Sequence, residues 1–432
     1  MKICLISPKS IYYSRDPDFF EYWNNSKYNQ NFRHFWSGLS TGLLIVAGLT
    51  PSSDDIELID ENIQEIDFKK EFDLVGITAT TQQATRAYTI SEEFRKRGIK
   101  TVIGGIHATV MPDEAKLHAD SVVVGEAENV WADLLLDYKK HALQPFYRSP
   151  KTVNLEDSPF PRYDLLDKAA YKIVWVQASR GCPHDCEFCV ASKVFGTKYR
   201  LKSVHQVVSE IRHIKEHCGD VFIGFADDNI MVNRKFITAL LQEIIPLRIR
   251  WFGQSDISIA RDKELLPLLY KSGCTILLVG LESLKSENLL EINNNSWKFS
   301  KLNDYSLSID KIQSSGIGVM GSFIFGFDHD DPSIFKSTAD FVVSNNLYLS
   351  NFSILTPFPG SHLREKLSEE NRLLPTPWND YTLWDVNFVP KNMSVQQLQL
   401  GLFDAYKRIL TEDACSKKAN HFKNIFRRLM PS

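Results

Sequence analysis

What the 432-residue chain lacks narrows its function quickly. Its net charge is only −3, so it carries no basic domain of the kind that binds nucleic acid. No stretch of eighteen apolar residues runs without a charge, so no transmembrane helix is expected. The opening MKICLISPKS reads as a strand rather than as a signal peptide. No G-x-G-x-x-G follows that strand and no P-loop is present, which removes the dinucleotide and nucleoside-triphosphate fingerprints. Four of the seven cysteines (Cys4, Cys218, Cys274 and Cys415) are scattered, which argues against a disulfide framework and for a reducing, cytoplasmic setting. No repeat or low-complexity tract stands out, apart from Asn293–Asn295, which reads as a loop.

What is present is an ordinary globular composition, 43% hydrophobic and 24% charged, long enough for two or three domains. Over the first 141 residues, apolar runs alternate with helical patterns. Lys2–Ser7, Ile56–Asp60, Leu74–Ala79, Lys100–Gly104 and Ser121–Gly125 read as buried strands. Helices are expected near 42–49, 83–97, 112–118 and 128–140. This alternation predicts a doubly wound, flavodoxin-like parallel sheet of about five strands. Ligands on such sheets bind beyond the carboxyl ends of the strands. The residues there are Thr78, Thr80, Thr81 and Gln82, then Gly104, Gly105, His107 and Thr109, then Gly125, Glu126 and Glu128. A purely structural or partner-docking domain is the plainer reading of the same pattern.

Residues 142–170 bear several prolines and no clear period, and read as a connector. From 171 to 360 a second βα series follows, with strands at Ile173–Ala178, Val221–Ala226, Arg250–Ser255, Thr275–Leu281, Val319–Phe325 and Tyr348–Leu355. Six such units make a partial (β/α)6 barrel. Residues 361–432 form a C-terminal helical region, with one helix over 394–410 and a basic, amphipathic end from His421. That end reads as a packed helix, or as a surface for an anionic membrane or a lipid-like substrate.

The decisive motif follows the first strand of the second series. Cys182, Cys186 and Cys189 form C-x-x-x-C-x-x-C, with Phe188 just before the last cysteine. Three thiolates can hold three irons of a [4Fe–4S] cube and leave the fourth iron open, whereas an electron-transfer cluster usually has all four capped. The alternative is structural zinc, but zinc wants four closed ligands and no second Cys or His pair lies near. No other clustered thiolates exist, so one cluster is expected.

These residues resemble the cluster motif of the radical S-adenosylmethionine (SAM) superfamily. The resemblance implies a [4Fe–4S] cluster whose open iron chelates SAM and cleaves it to methionine and a 5′-deoxyadenosyl radical. It places Phe188 near the adenine. It assigns Asp227, Asp228 and Asn229 to the methionine amino group, although they also suit a helix cap. It puts Ser255 and Glu282 at the ribose, Gly326 beside the adenine and the P-x-P-G turn at Pro357–Gly360 after the sixth strand. Lys198, Arg200 and Lys202 are candidates for the SAM carboxylate, or simply a solvated basic stretch.

The segments FDLVGITATTQQATRAY, VIGGIHATVMPDEA and ADSVVVGEAENVW resemble the cobalamin-binding domain that precedes the barrel in one class of this superfamily. The resemblance implies cobalamin contacts from Thr78, Thr80, Thr81, Gly104, Gly105, His107, Gly125 and Glu126. The histidine motif D-x-H-x-x-G is absent, because residues 60–65 read DENIQE. The expectation is a cobalamin-dependent C-methyltransferase acting on an unactivated carbon of a small-molecule or lipid-like intermediate. Its partner would be an external electron donor such as flavodoxin or ferredoxin. Cyclisation, rearrangement or oxidation is the alternative outcome, and an iron–sulfur sensor or electron carrier is the non-enzymatic one.

Overall fold

The apolar runs of the first 141 residues become β1 (Lys2–Ser7), β2 (Asp55–Asp60), β3 (Leu74–Thr78), β4 (Lys100–Gly104) and β5 (Ser121–Val124). They are largely buried, as strands covered by helices on both faces must be. The structure, a computed structural model, describes residues 1–10, 14–26, 38–150, 152–292 and 297–429; the loop expected at Asn293–Asn295 lies outside them. All pairings in this sheet are parallel, in the order β2-β1-β3-β4-β5. The winding reverses at β1, which puts the ligand crevice beyond the carboxyl ends of β1 and β3.

A sixth strand, β6 (Phe146–Arg148), joins the far edge parallel to β5. The sequence suggested a connector there. Only three residues long and next to Pro145, it has no readable period, and an edge strand tolerates flanking proline.

The second sheet begins with β7 (Ile173–Val176). A short antiparallel ribbon follows, β8 (Ser179–Arg180) with β9 (Arg200–Leu201). Then come β10 (Phe222–Phe225), β11 (Arg250–Ser255), β12 (Cys274–Glu282), β13 (Gly318–Phe325) and β14 (Leu349–Ile354). Their order is β7-β10-β11-β12-β13-β14, all parallel. Among the described residues β14 does not return to pair with β7, so the barrel is open.

The two faces of this sheet are distinct. Trp251 donates its indole N–H to Ser272 on the helical side, and Phe225 packs on it with ring centroids 5.3 Å apart. The alternate residues line the concave side: Trp175, Gln254, Leu278, Gly280, Ser322 and Asn351.

The C-terminal region completes the outer layer. Helix Val395–Ile409 begins with a capping box of Ser394 and Gln397. Its Tyr406 hydroxyl bonds both the N–H and the carbonyl of Phe352 on β14, each at 2.9 Å. Helix Glu412–Leu429 carries the basic end seen in the sequence, and buries Phe422 and Ile425 against the barrel, Phe422 stacking edge-on to Tyr348. That amphipathic face is therefore packed against protein. Helix Pro17–Asn25, which the sequence pattern did not reveal, presses Phe19 and Trp23 onto Tyr406 and joins the two halves of the molecule.

Lys202 shows how closely the barrel's first helix is tied down. It lies at the start of helix Val204–Cys218, and its ammonium meets Glu210 at 2.5 Å, both side chains buried. Tyr163 donates a further hydrogen bond to Glu210 at 3.0 Å. Lys202 is thus not solvated, and its ammonium is committed to Glu210. Lys202→Met should destabilise the protein by about 3–5 kcal/mol by leaving Glu210 buried and unpaired, and Lys202→Met/Glu210→Leu should recover much of it. Urea denaturation of the two variants tests this.

Candidate functional site

The cysteine loop is closed at its base by the β8–β9 ribbon, in which Arg180 faces Arg200. Gly181 makes the turn into the loop at φ +88°; a Cβ there would lie 2.4 Å from the Lys198 carbonyl oxygen. The Glu187 peptide is held from two sides. Its N–H donates to Ile292 after β12 at 3.0 Å, and its carbonyl accepts from Leu363 after β14 at 3.0 Å.

Within this clamp the backbone N–H groups of His184 and Ala191 donate to Cys182 and Cys189. Hydrogen bonds to thiolate sulfur are among the devices that tune a cluster. Burial pushes all three thiols up, Cys186 to about 12 and Cys189 to about 11, so iron must displace protons as it binds. The thiols also feel one another: Cys182 and Cys189 each raise Cys186. Among the described residues no three His, Cys, Asp or Glu side chains converge as on a single ion. A cube makes a different demand, one thiolate for each iron.

The structure sorts the other expected residues. Phe188 packs edge-on against Phe327, just after β13, with centroids 6.3 Å apart. Gly326 beside it has φ +103°, and a Cβ there would strike Leu398 and Phe388. Asp330 holds this turn by accepting the N–H groups of Gly326 and Phe327 at 3.0 and 3.1 Å.

The Asp227–Asn229 set divides. Asp227 is fully buried and accepts the Ala178 N–H at 3.1 Å and the Ser179 hydroxyl. Asn229 donates to Asp256 at 2.9 Å and accepts the Met231 N–H at 3.0 Å. Neither caps the next helix, a task done by Asn233. Asp228 alone reaches solvent, from inside the cleft, and its charge raises Cys182 and Cys189.

Ser255 turns its hydroxyl to the Asp256 carbonyl at 3.0 Å. Glu282 is aimed by a register shift at the end of β12 and by its own φ of +63°, and pairs with Lys298. Lys198 is exposed and Arg200 is engaged elsewhere, so Lys298 is the buried cation of this region. Sequence reasoning missed it, because it sits alone after an asparagine run with no motif around it.

The first domain meets this site through its carboxyl ends. Glu126, after β5, accepts Arg180 at 2.7 Å and Arg200 at 2.9 Å, and Glu128 takes the second nitrogen of Arg180 at 2.6 Å. All four side chains are under one-tenth exposed. Burial pushes Glu126 up, but the Val153 N–H and the two guanidiniums outweigh it and hold the carboxyl below its usual range. Glu126 is therefore committed to docking the domains.

His107 is likewise withdrawn. Its ring is buried between Thr81, 3.4 Å from Nδ1, and Tyr88, 3.1 Å from Nε2, with Trp378 packed edge-on. Burial depresses its pKa. Gly105 has a structural reason to be glycine, since a Cβ at its φ of +92° would lie 2.6 Å from the Thr78 hydroxyl. Gly125, at φ +86°, donates its N–H to Thr109 at 3.1 Å. Thr80 bonds Gln83 at 2.9 Å.

Two residues at these strand ends have no such duty. A Cβ on Gly104 would meet only ordinary contacts, so nothing inside the protein demands glycine there. The Gln82 side-chain oxygen is buried with no partner among the described residues. An orphan acceptor after β3 and a glycine with no internal duty at the end of β4 suit the amide-rimmed edge of a corrin.

Comparison with known proteins identifies this arrangement. A model of the radical SAM superfamily matches residues 176–342, and one of the B12 binding domain matches residues 41–135. The chain is 30% identical over 386 residues to bacteriochlorophyllide d C-12(1)-methyltransferase of Chlorobaculum tepidum, covering 87% of this chain and 83% of that one. The chain belongs to the radical SAM superfamily, in the class with a B12-binding domain. Bacteriochlorophyllide d C-8(2)-methyltransferase of the same organism is also 30% identical, over 356 residues, 78% of each chain. In fold, the protein resembles the radical SAM methyltransferase TsrM of Kitasatospora setae, solved with cobalamin and a [4Fe–4S] cluster. The TM-score is 0.69 at 16% identity, covering 94% of this chain and 89% of that one. As a member of this class, the protein is an enzyme that uses a [4Fe–4S] cluster, SAM and cobalamin.

Two predictions follow from this geometry. Arg180→Met removes the partner shared by Glu126 and Glu128, and should cost about 3–5 kcal/mol of stability, read as a lowered urea midpoint or a split transition. Asp227 is the second. Burial pushes its carboxyl up to about 7, so the folded protein keeps a proton that the unfolded chain has released near pH 4. Folding stability from this group is therefore lost as pH rises from about 4 to 7. Between pH 5 and pH 8, Asp227→Asn apoprotein should gain about 2–3 kcal/mol relative to wild type in urea unfolding.

Proposed function

We propose that this radical SAM methyltransferase acts on an unactivated carbon of a large, mostly apolar intermediate of the tetrapyrrole type. The similarity to two bacteriochlorophyllide methyltransferases over most of the chain carries this reading. The concave face of the barrel supports it. Trp175 and Leu278 offer flat apolar surface, while Gln254, Ser322 and Asn351 offer hydrogen bonds. The side-chain oxygen of Asn351 is buried and has no partner among the described residues, which leaves it ready for a substrate N–H or O–H.

Cys182, Cys186 and Cys189 hold the cluster. Phe188, with Phe327 behind it, and the Gly326 turn receive the adenine. Asp228 faces the methionine ammonium, and Glu282 the ribose. Thr78, Gln82 and Gly104 meet the corrin. When bound, these groups supply a 5′-deoxyadenosyl radical and a transferable methyl; the protein holds them in line and excludes water. The two domains meet with their ligand-bearing strand ends face to face, as such a transfer requires. A low-potential donor such as flavodoxin or ferredoxin supplies the electron, and the scattered free thiols suit a cytoplasmic setting. Among the described residues, no helix is long and apolar enough to cross a membrane.

Three measurements test this. Reconstituted protein should form 5′-deoxyadenosine from SAM and a reductant, and Cys186→Ala should reduce that to background; a variant that stays active sinks the radical assignment. Purified protein should retain hydroxocobalamin. SAM with a deuterated methyl group should label the product, whereas an unlabelled product moves the reading to cyclisation, rearrangement or oxidation.

A further inference from the structure

We propose that Lys298 is a positioning residue that raises the reduction potential of the cluster, so that a one-electron donor can fill it. The proposal rests on the cluster reading above. It starts from the path of the chain after β12. Two described points of it, Ile292 and Trp297, touch the cysteine loop. The Ile292 carbonyl accepts the Glu187 N–H at 3.0 Å, and the Trp297 ring lies 5.2 Å from that of His184, between Cys182 and Cys186. Lys298 follows Trp297 in the chain, which brings its cation beside the loop.

The surroundings of Lys298 are built for this charge. Lys298 is ion-paired to Glu282, with side chains 11% and 10% exposed, and its ammonium also donates to the Gly280 carbonyl at 3.3 Å. Gly280 leaves the space empty: a Cβ there would stand 2.4 Å from Glu282 Oε1 and 3.2 Å from Lys298 Nζ. Glu282 reaches the pair only through the register shift and its left-handed backbone. Such a conformation costs of order 1–3 kcal/mol and persists where the surroundings enforce it.

Seen from Cys186 and Cys182 the pair acts as a net cation, whereas at Cys189 Glu282 pushes the thiol up. At Cys186 the pull of Lys298 is larger than the push of Glu282, and Lys298 also lowers Cys182. Asp228 pushes the other way at Cys182 and Cys189. Reduction adds one electron to the cluster, with no bond broken and no proton moved. A buried cation favours the more negative, reduced state, and net charge is one of the determinants of cluster potential. Lys298 thus offsets Asp228 at the electron-accepting centre.

The test is a dye-mediated redox titration of anaerobically reconstituted wild type, Lys298→Met, Lys298→Arg and Glu282→Gln, read by the electron paramagnetic resonance of the reduced cluster. Lys298→Met should keep its iron and sulfide content, and its ratio of reduced to oxidised cluster at a fixed poise should fall about tenfold, equivalent to about 59 mV for one electron. Lys298→Arg should hold the wild-type ratio, and Glu282→Gln should raise it. A Lys298→Met protein that binds the cluster and titrates like wild type overturns the proposal. If that variant assembles no cluster, Glu282→Gln decides: a raised ratio supports the field, and an unchanged one overturns it. A wild type that assembles no cluster sinks the cluster reading itself, a separate and visible failure.

Discussion

Everything at the centre of this protein depends on a buried four-charge contact, Glu126 and Glu128 against Arg180 and Arg200. The two acids follow the last long strand of the first sheet. The two arginines face each other across the ribbon that closes the cysteine loop. Two separate sheets, each with its ligand-binding edge at the carboxyl ends of its strands, are thereby held edge to edge. Buried ion pairs are weak evidence of stability, because desolvation cancels much of the attraction. Their value here is geometric. A bidentate guanidinium fixes angle as well as distance, and four matched charges penalise any sliding that would unpair one of them.

The same contact explains why some site residues were legible in the sequence and others were not. The fold was readable because parallel strands must be apolar on both faces, so runs such as KICLIS and TILLVGL announce themselves. The cysteines were readable because their spacing lies within one loop. The docking role of Glu126 was not legible, because its partners lie 54 and 74 residues away. From the sequence it is an acid after a strand, as suitable for a cofactor as for a domain contact. The burial of His107 was hidden for the related reason that Trp378, which packs on it, arrives from the far C-terminal region. Lys298 has no local signature at all, and only the contacts of Trp297 with His184 and of Lys298 with Glu282 bring it to the cysteine loop.

A division of labour runs through the strand ends. Residues first grouped by position separate by what they touch. Asp227 and Asn229 stitch β10 to its neighbours, and Asp228 between them stays open. Gly105 serves the close approach of β4 to β3, while Gly104 has no such duty. Neighbouring residues cannot all turn to a ligand, because the buried backbone around them also needs partners. A motif of three polar residues after a strand therefore spends part of its polarity on the protein. Position alone cannot say which member is left over.

The electrostatics of the cysteine loop follow from its burial. A low-dielectric pocket raises all three thiols, so the empty loop resists charge. A metal cluster reverses that preference by supplying positive iron, but each added electron works against it again. The surroundings then matter in proportion to how little water reaches them. Asp228 and Lys298 act on this loop in opposite senses. An acid there suits a zwitterionic cofactor with an ammonium to place, and it works against the electron that must arrive first. The buried lysine is the compensation the same site needs, and its salt bridge to Glu282 keeps it from swinging onto the acid that it balances.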